Sequence, residues 1–481
     1  MPTHSSDRTL YVASPMNRPS EGYDPAKIYN DVEYVFLENI YSTLVEFSPS
    51  GELVPGIAES FGWVQNELVL NIRKDLKTAS GHSITPQDVE ASLKRLLILA
   101  SNTHGNLAEL ICQKEKIVSI EQSCIGIRVD GDAVVLSPGK KLPFLLQMLA
   151  AMDFAVIPKS SLNKELKIFD YKNTSGPYYV EKDDLLGRIT LKANKTHYRY
   201  HPNMPQEISI VPAIEKDSLS LFKENQIDLI TTVDNTTEKT KFQKFIKENS
   251  DINIHKTMNI KSIAAIFTEA GLKKYSRDER LAFGNLIRET LEKEQYSELG
   301  LAPALQFLPL FGEGALSEEE ESNLRAEFKK LEPESQLPKR MKIGLSGKSI
   351  LYMKPVIEKA FPDSTVTPRS TTPEFSDFDV LIYSIDSGFM EDISLVTYAI
   401  NFGIFGSVQE GKKWLTNYMN IENKEERIPL LKELHFDALN SGTLIPIFHT
   451  YYMAIARKPW SLGLSKFYAN NPFYNMRYEQ D

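Results

Sequence analysis

The fold class that this sequence predicts is α/β, in more than one domain, and three observations carry it. Short apolar-alternating runs, the strand signature, recur from the first ten residues to the last forty. Amphipathic segments with period 3.6 lie between them rather than in a separate block, which points to mixed lobes and not to a bundle or a sandwich. With 481 residues the chain is too long for a single core.

Taken in order, residues 10–13 read as a short strand, and Val32, Val35, Phe36, Ile40 and Leu44 recur at helical spacing over 30–45. A turn at 49–51 leads to a strand at 68–73, with Leu68, Leu70 and Ile72 on one face. Thr85 reads as an N-cap, Pro86 as the first helical residue and Asp88 as the acidic partner; Val89, Leu93, Leu96 and Leu97 form that helix's buried stripe. Strands follow at 125–129, 133–136 and 188–192. A helix over 214–225 leads into a strand at 227–232. Phe283, Leu286, Ile287, Thr290 and Leu291 share one side of a helix spanning 278–291. The charge-dense stretch 317–330 is a solvated helix face, 342–344 and 380–383 are strands, 423–440 is a helix, and 445–456 is strand-like and rich in aromatics.

Composition narrows the function classes. Hydrophobic residues make up 42% and charged residues 25%, ordinary for a globular protein, and no apolar run reaches the roughly 18 residues of a membrane span. A net charge of −9, with both signs interspersed, argues against nucleic acid as a partner, because phosphate recognition needs a basic face. The two cysteines, Cys112 and Cys124, are either one bridge or two buried thiols. The first ten residues lack the basic start and apolar stretch of a signal peptide, so either a signal was removed or the protein is cytoplasmic.

No catalytic constellation emerges. GLSGKS at 344–349 resembles the end of a phosphate-binding loop, but Lys342 stands where the motif needs its first glycine, and the segment reads as a strand end and turn. Of the eight histidines, only His197 and His201 have i, i+4 spacing, and Pro202 disfavours a helix there. No cysteine pair has zinc spacing and no nucleophile elbow is present. Neither enzymatic activity, a metal nor a cofactor is expected.

A series of short segments, weak singly, occurs in a telling order: Asp24-Pro25, IYSTLV at 40–45, LVPGIAES at 53–60, IRKDLK at 72–77, Gly81, TPQDV at 85–89, VIPK at 156–159, SGPY at 175–178, Asn194 and Tyr198, NQID at 225–228, SRDER at 276–280, and KPW at 458–460. Over nearly the whole chain this order resembles bacterial extracellular solute-binding proteins of family 5, the oligopeptide- and dipeptide-binding proteins of ABC transporters. The glycine that the family carries two residues before its isoleucine–aspartate pair is replaced here by Asn225.

The resemblance implies a periplasmic-binding-protein-like type II clam-shell of two lobes with an extra inserted domain. Domain I would comprise 1–42, 172–256 and 452–481, domain II the insert 43–171, and domain III 257–451. It implies a monomeric, periplasmic or lipid-anchored receptor that binds a peptide in the interdomain cleft and hands it to permease subunits in the membrane. The alternatives are another ligand on the same fold (a metal chelate, haem, an opine or an oligosaccharide) or a ligand-sensing signalling receptor. Peptide binding through backbone pairing is tolerant of sequence, and a buried ligand ammonium requires a carboxylate.

In peptide-binding members that carboxylate follows a strand of domain III. YSID at 383–386 supplies it as Asp386 when two upstream residues are deleted; the gapless reading places Gly388 there and aligns Glu391 and Ser394 with family positions. Tyr383 and Ser384 accompany Asp386 as candidate ligand contacts. Tyr29, Asn30 and Asp31 follow Asp24-Pro25 at the spacing of the family's cleft-lining loop, with Asp31 the alternative amine partner.

Overall fold

The computed structural model describes residues 8–14, 16, 18–19, 21–28, 33–48, 51–99, 111–113, 116–139, 142, 144–184, 187–213, 217–230, 239–299, 301–308, 312–331, 337–346, 353–368, 377–386, 392–463 and 473–479. The chain forms two compact units: 1–234, 249–255 and 453–481 in the first, and 235–248 with 256–452 in the second. The unit boundaries at 255/256 and 452/453 fall inside the long strands Ile252–Phe267 and Leu444–Arg457.

In the first unit, the strand Thr9–Ser14 pairs in parallel with Glu207–Pro212 and, at Val12, with Leu229. Antiparallel neighbours Ile189–Ala193 and Tyr178–Asp183 extend the sheet on one side, and Ile455 and Ala456 close on Leu229–Ile230 on the other. A separate four-stranded antiparallel sheet runs in the order Ala58–Val64, Glu67–Ile72, Ala133–Leu136, Ile127–Asp130. Its buried face carries Leu68, Leu70 and Ile72, as their alternation predicts. Against it packs the helix Pro86–Leu99. That helix opens as the sequence implies: Thr85 and Asp88 exchange hydrogen bonds, the Asp88 Oδ2 accepting from the Thr85 amide at 2.8 Å and the Thr85 Oγ1 from the Asp88 amide at 3.3 Å.

Cys112 and Cys124 form a disulfide, with Cα atoms 5.1 Å apart, which resolves the alternative that the sequence left open. The bridge closes a short loop beside this four-stranded sheet, and in the chain-entropy model such a crosslink stabilises by about 3 kcal/mol. Gly126 follows it for a steric reason: a Cβ there would lie 1.5 Å from the Ile111 carbonyl oxygen.

In the second unit the strand order is Thr365–Pro368, Lys342–Ser346, Val380–Asp386, Ile252–Phe267, Leu444–Arg457, with Leu301–Pro303 added to the last. The first three are mutually parallel, and Val380–Asp386 runs antiparallel to Ile252–Phe267, with Val380 opposite Phe267 and Asp386 opposite Lys261. Helices cover this sheet. Arg277–Lys293 begins with a complete capping box between Ser276 and Glu279 and buries Phe283, Ile287 and Leu291 in a core shared with Ile263, Phe267, Ile343, Val380 and Ile382. The acidic run opens Glu318–Leu331, where negative charge at a helix N-terminus is favourable, and Glu320 meets Lys432 at 2.6 Å.

The structure departs from the sequence reading over 30–45. The helix covers only Tyr34–Ile40; the chain then turns extended at Tyr41, whose hydroxyl donates to the Tyr23 carbonyl at 2.9 Å, and Val45–Phe47 pairs as a strand with Leu53–Pro55. Leu44 is buried as that pattern requires, but at a bend just before the strand Val45–Phe47.

Candidate functional site

Tyr383 and Ser384 lie near the end of the strand Val380–Asp386, and Asp386 is its last residue. The strand is fixed by its apolar neighbours: Val380, Leu381, Ile382 and Ile385 are all fully buried. Tyr383 is flanked on both edges, standing opposite Ala264 on one neighbour and Ser346 on the other, while Ser384 stands opposite Ile263. Adjacent strand residues face opposite sides of the sheet, so Tyr383 and Ser384 serve different faces. The Tyr383 ring meets Phe402 edge-on, with centroids 5.6 Å apart, and Phe402 in turn stacks with Tyr398 at 6.1 Å. All three rings are half-buried, forming an aromatic patch that their separation in sequence concealed.

Gly388 and Glu391, the competing assignments, and Tyr29, Asn30 and Asp31 lie outside the described residues. The approach to the latter three is described and tightly held. Asp24 caps the short turn Pro25–Lys27 by accepting from the Ala26 amide at 3.1 Å. The same carboxylate is gripped by the Arg95 guanidinium through two hydrogen bonds, 2.9 and 2.6 Å, while the Arg95 Nε–H donates to the Leu166 carbonyl at 2.8 Å. Arg95 is 1% exposed, so this forked pair sits in the core of the first unit. Asp24-Pro25 was legible as a motif; its partner 71 residues later was not.

The histidine pair that spacing singled out is structural. His197 is buried; its Nδ1 accepts from the Arg199 amide at 3.1 Å and its Nε2 lies 3.2 Å from the Ser42 hydroxyl. Burial, with the Arg199 charge second, pushes it down to about 3, so it is neutral. His201 accepts from the Asn203 amide instead of sharing a site. No group of three or more metal-binding side chains occurs among the described residues. The GLSGKS segment begins as the strand Lys342–Ser346, where Gly344 is dictated by packing: a Cβ would come within 2.5 Å of the Leu381 side chain. Residues 347–349 lie outside the described ones.

One buried polar cluster escaped the sequence reading. Asp392, immediately before the helix Ile393–Asn401, accepts from the Gly314 amide at 2.5 Å through Oδ2. The Gly314 carbonyl lies 3.0 Å from the His435 Nε2, and the His435 Nδ1 accepts from the Phe307 amide at 3.3 Å, which makes Nε2 the protonated nitrogen. His449 similarly donates to the Gln306 carbonyl at 2.9 Å. Burial pushes both histidines down to about 4 and Asp392 up to about 7. These residues stand 314, 392, 435 and 449 along the chain with no motif among them.

Residues 52–280 match the family model described as bacterial extracellular solute-binding proteins, family 5 Middle. No curated protein sequence matches the chain. Among solved structures, it is similar to the Escherichia coli murein tripeptide binding protein MppA, at 18% identity and a TM-score of 0.72, over 99% of each chain. It is similar to NikA from Brucella suis in complex with Fe(III)-EDTA, at 16% identity and a TM-score of 0.78, over 98% of this chain and 100% of that one. It is also similar to AgaA from A. tumefaciens R10 in complex with agropinic acid, at 16% identity and a TM-score of 0.74, over 98% and 99%. The fold is therefore that of the type II periplasmic binding proteins. The match to the bacterial extracellular solute-binding proteins of family 5 spans just under half of the chain. No helix among the described residues is long and apolar enough to cross a membrane.

Proposed function

We propose that this protein is the substrate-binding component of an ABC transporter and that its ligand is a short peptide, held between domains and delivered to permease subunits. The observation that carries the reading is the family match across 52–280 together with a fold shared over its full length with a tripeptide-binding protein. In this reading Asp386 pairs with the peptide ammonium, Ser384 and backbone groups beside it bind the peptide backbone, and Tyr383 lines a side-chain pocket. Tyr29, Asn30 and Asp31 supply the opposing contacts. Domain I comprises 1–42, 172–256 and 452–481, domain II is the insert 43–171, and domain III is 257–451. The protein works outside the cytoplasmic membrane as a monomer without a cofactor.

A second reading, a non-peptide ligand on the same fold, is favoured by the NikA and AgaA likenesses, whose solved ligands are a metal chelate and an opine. A melting screen separates the two. A mixture of di- to pentapeptides is expected to raise the midpoint by several degrees, because a ligand at about 100 times its Kd adds about 2.7 kcal/mol to the folded state. Agropinic acid and Fe(III)-EDTA are expected to leave it unchanged; a shift with either and none with peptides reverses the assignment.

A further inference from the structure

The cluster around Asp392 does more than fill the second unit. Asp392 is 2% exposed, and its Oδ1 has no hydrogen-bond partner among the described residues. The carboxyl is seated on two glycines that admit no side chain: a Cβ at Gly312 would lie 1.8 Å from Oδ1, and one at Gly314 3.1 Å from Oδ2. Hydrogen bonds then run from the Phe307 amide to His435, from His435 to the Gly314 carbonyl, and from the Gly314 amide to Asp392. Three segments distant in sequence are thus joined through one residue, Gly314, by its N–H and its carbonyl.

We propose that Asp392 and His435 form a proton-sensitive latch that holds the turn at 312–316 against the start of the helix Ile393–Asn401. The geometry sets its two release points. A neutral carboxyl tolerates a buried oxygen without a donor, whereas a carboxylate there is a desolvated charge without a compensating cation. Its nearest charge, Glu313, is also negative, although Glu313 is itself paired with Lys424 at 2.6 Å. On the acid side, both His435 nitrogens are committed, one as acceptor and one as donor. A second ring proton would set an N–H against the Phe307 N–H. The remaining titratable groups facing His435 are His449, Glu320 and Lys432, the last two paired with each other.

The signs follow. Asp392 is raised to about 7 by burial, so its contribution is complete below the free aspartate value and is lost as pH rises through about 7. His435 is lowered to about 4, so its contribution is complete above the free histidine value and is lost as pH falls through about 4. The latch is closed at mildly acidic to neutral pH and loosens on either side. It reaches the aromatic patch through the same helix, which carries Tyr398 and ends beside Phe402, the partner of Tyr383.

Backbone hydrogen exchange at Gly314 in the full-length protein tests the latch without any ligand, so its outcome is independent of the transport assignment. After correction for intrinsic rates, wild-type protection at Gly314 is expected to fall about tenfold or more between about pH 6 and pH 8.5, while Asp392→Asn shows no such step. A pH-independent wild type, or an equal fall in both proteins, overturns the proposal. Should Asp392→Asn fail to fold, side-chain carboxyl carbon resonances of the labelled wild type decide. One aspartate titrating near neutrality, together with the loss of Gly314 protection, sustains the latch; aspartates that all titrate in the ordinary acidic range refute it.

Discussion

Replacing Arg95 with alanine is expected to lower the unfolding free energy by about 3–5 kcal/mol, the range for removing one partner of a buried, hydrogen-bonded ion pair. The penalty arises less from the lost attraction than from what stays behind. The Asp24 carboxylate, 7% exposed, would be left without the guanidinium that satisfies both its oxygens, and the Leu166 carbonyl would lose the Nε–H. Urea unfolding of the two proteins measures the difference. The double variant Asp24→Asn/Arg95→Met removes both charges and is expected to cost less than Arg95→Ala alone, because no uncompensated charge remains. A loss below about 1 kcal/mol for Arg95→Ala would mean that water replaces the guanidinium and that the pair does not hold the turn at Pro25–Lys27.

The second large effect concerns binding. Asp386→Asn is expected to weaken the binding of a free-amine tripeptide by about 2–5 kcal/mol, roughly 30- to several-thousand-fold. The fold should survive, since Asp386 ends its strand and the buried positions are Val380, Leu381, Ile382 and Ile385. Titration calorimetry with the tripeptide and with its N-acetylated form gives the check. Acetylation should cost the wild type a similar amount and cost the variant little. Unchanged affinity in Asp386→Asn would transfer the amine to Asp31 or remove it from the account.

Local rules were legible where the physics is local. The Thr85-Pro86 start, the Phe283–Ile287–Leu291 stripe and the alternation of Leu68, Leu70 and Ile72 need only a cap, a period and a buried face. The strand at 133–136 has the predicted bounds, and the helix 423–440 is found as Lys424–Ser441. Several elements were not read, among them Glu207–Pro212, Ile393–Asn401, Val408–Asn420 and two further strands. Ala58–Val64 contains a glycine and a bulge between Ala58 and Ser60, which break its alternation. In Ile252–Phe267 polar residues dominate the first half, so the apolar run begins only near Ile263. The helix expected over 30–45 ends at Ile40 because apolar spacing does not distinguish a buried helix residue from a buried residue at a bend such as Leu44.

Candidate-site legibility divides along the same line. Asp24-Pro25 and YSID at 383–386 were visible as motifs within single segments. The Arg95 clamp, the Tyr383–Phe402–Tyr398 patch and the Asp392–Gly314–His435 chain are long-range meetings of residues with no mutual spacing rule. The pairing of Cys112 with Cys124 likewise depended on Cα atoms brought to 5.1 Å, which composition does not fix.

The most direct test of the central claim is native mass spectrometry of the purified protein, followed by identification of what it releases on denaturation. The account predicts a heterogeneous set of short peptides, each bound one to one, as backbone-directed recognition requires. A single non-peptide mass, such as a metal chelate or an opine, would contradict it.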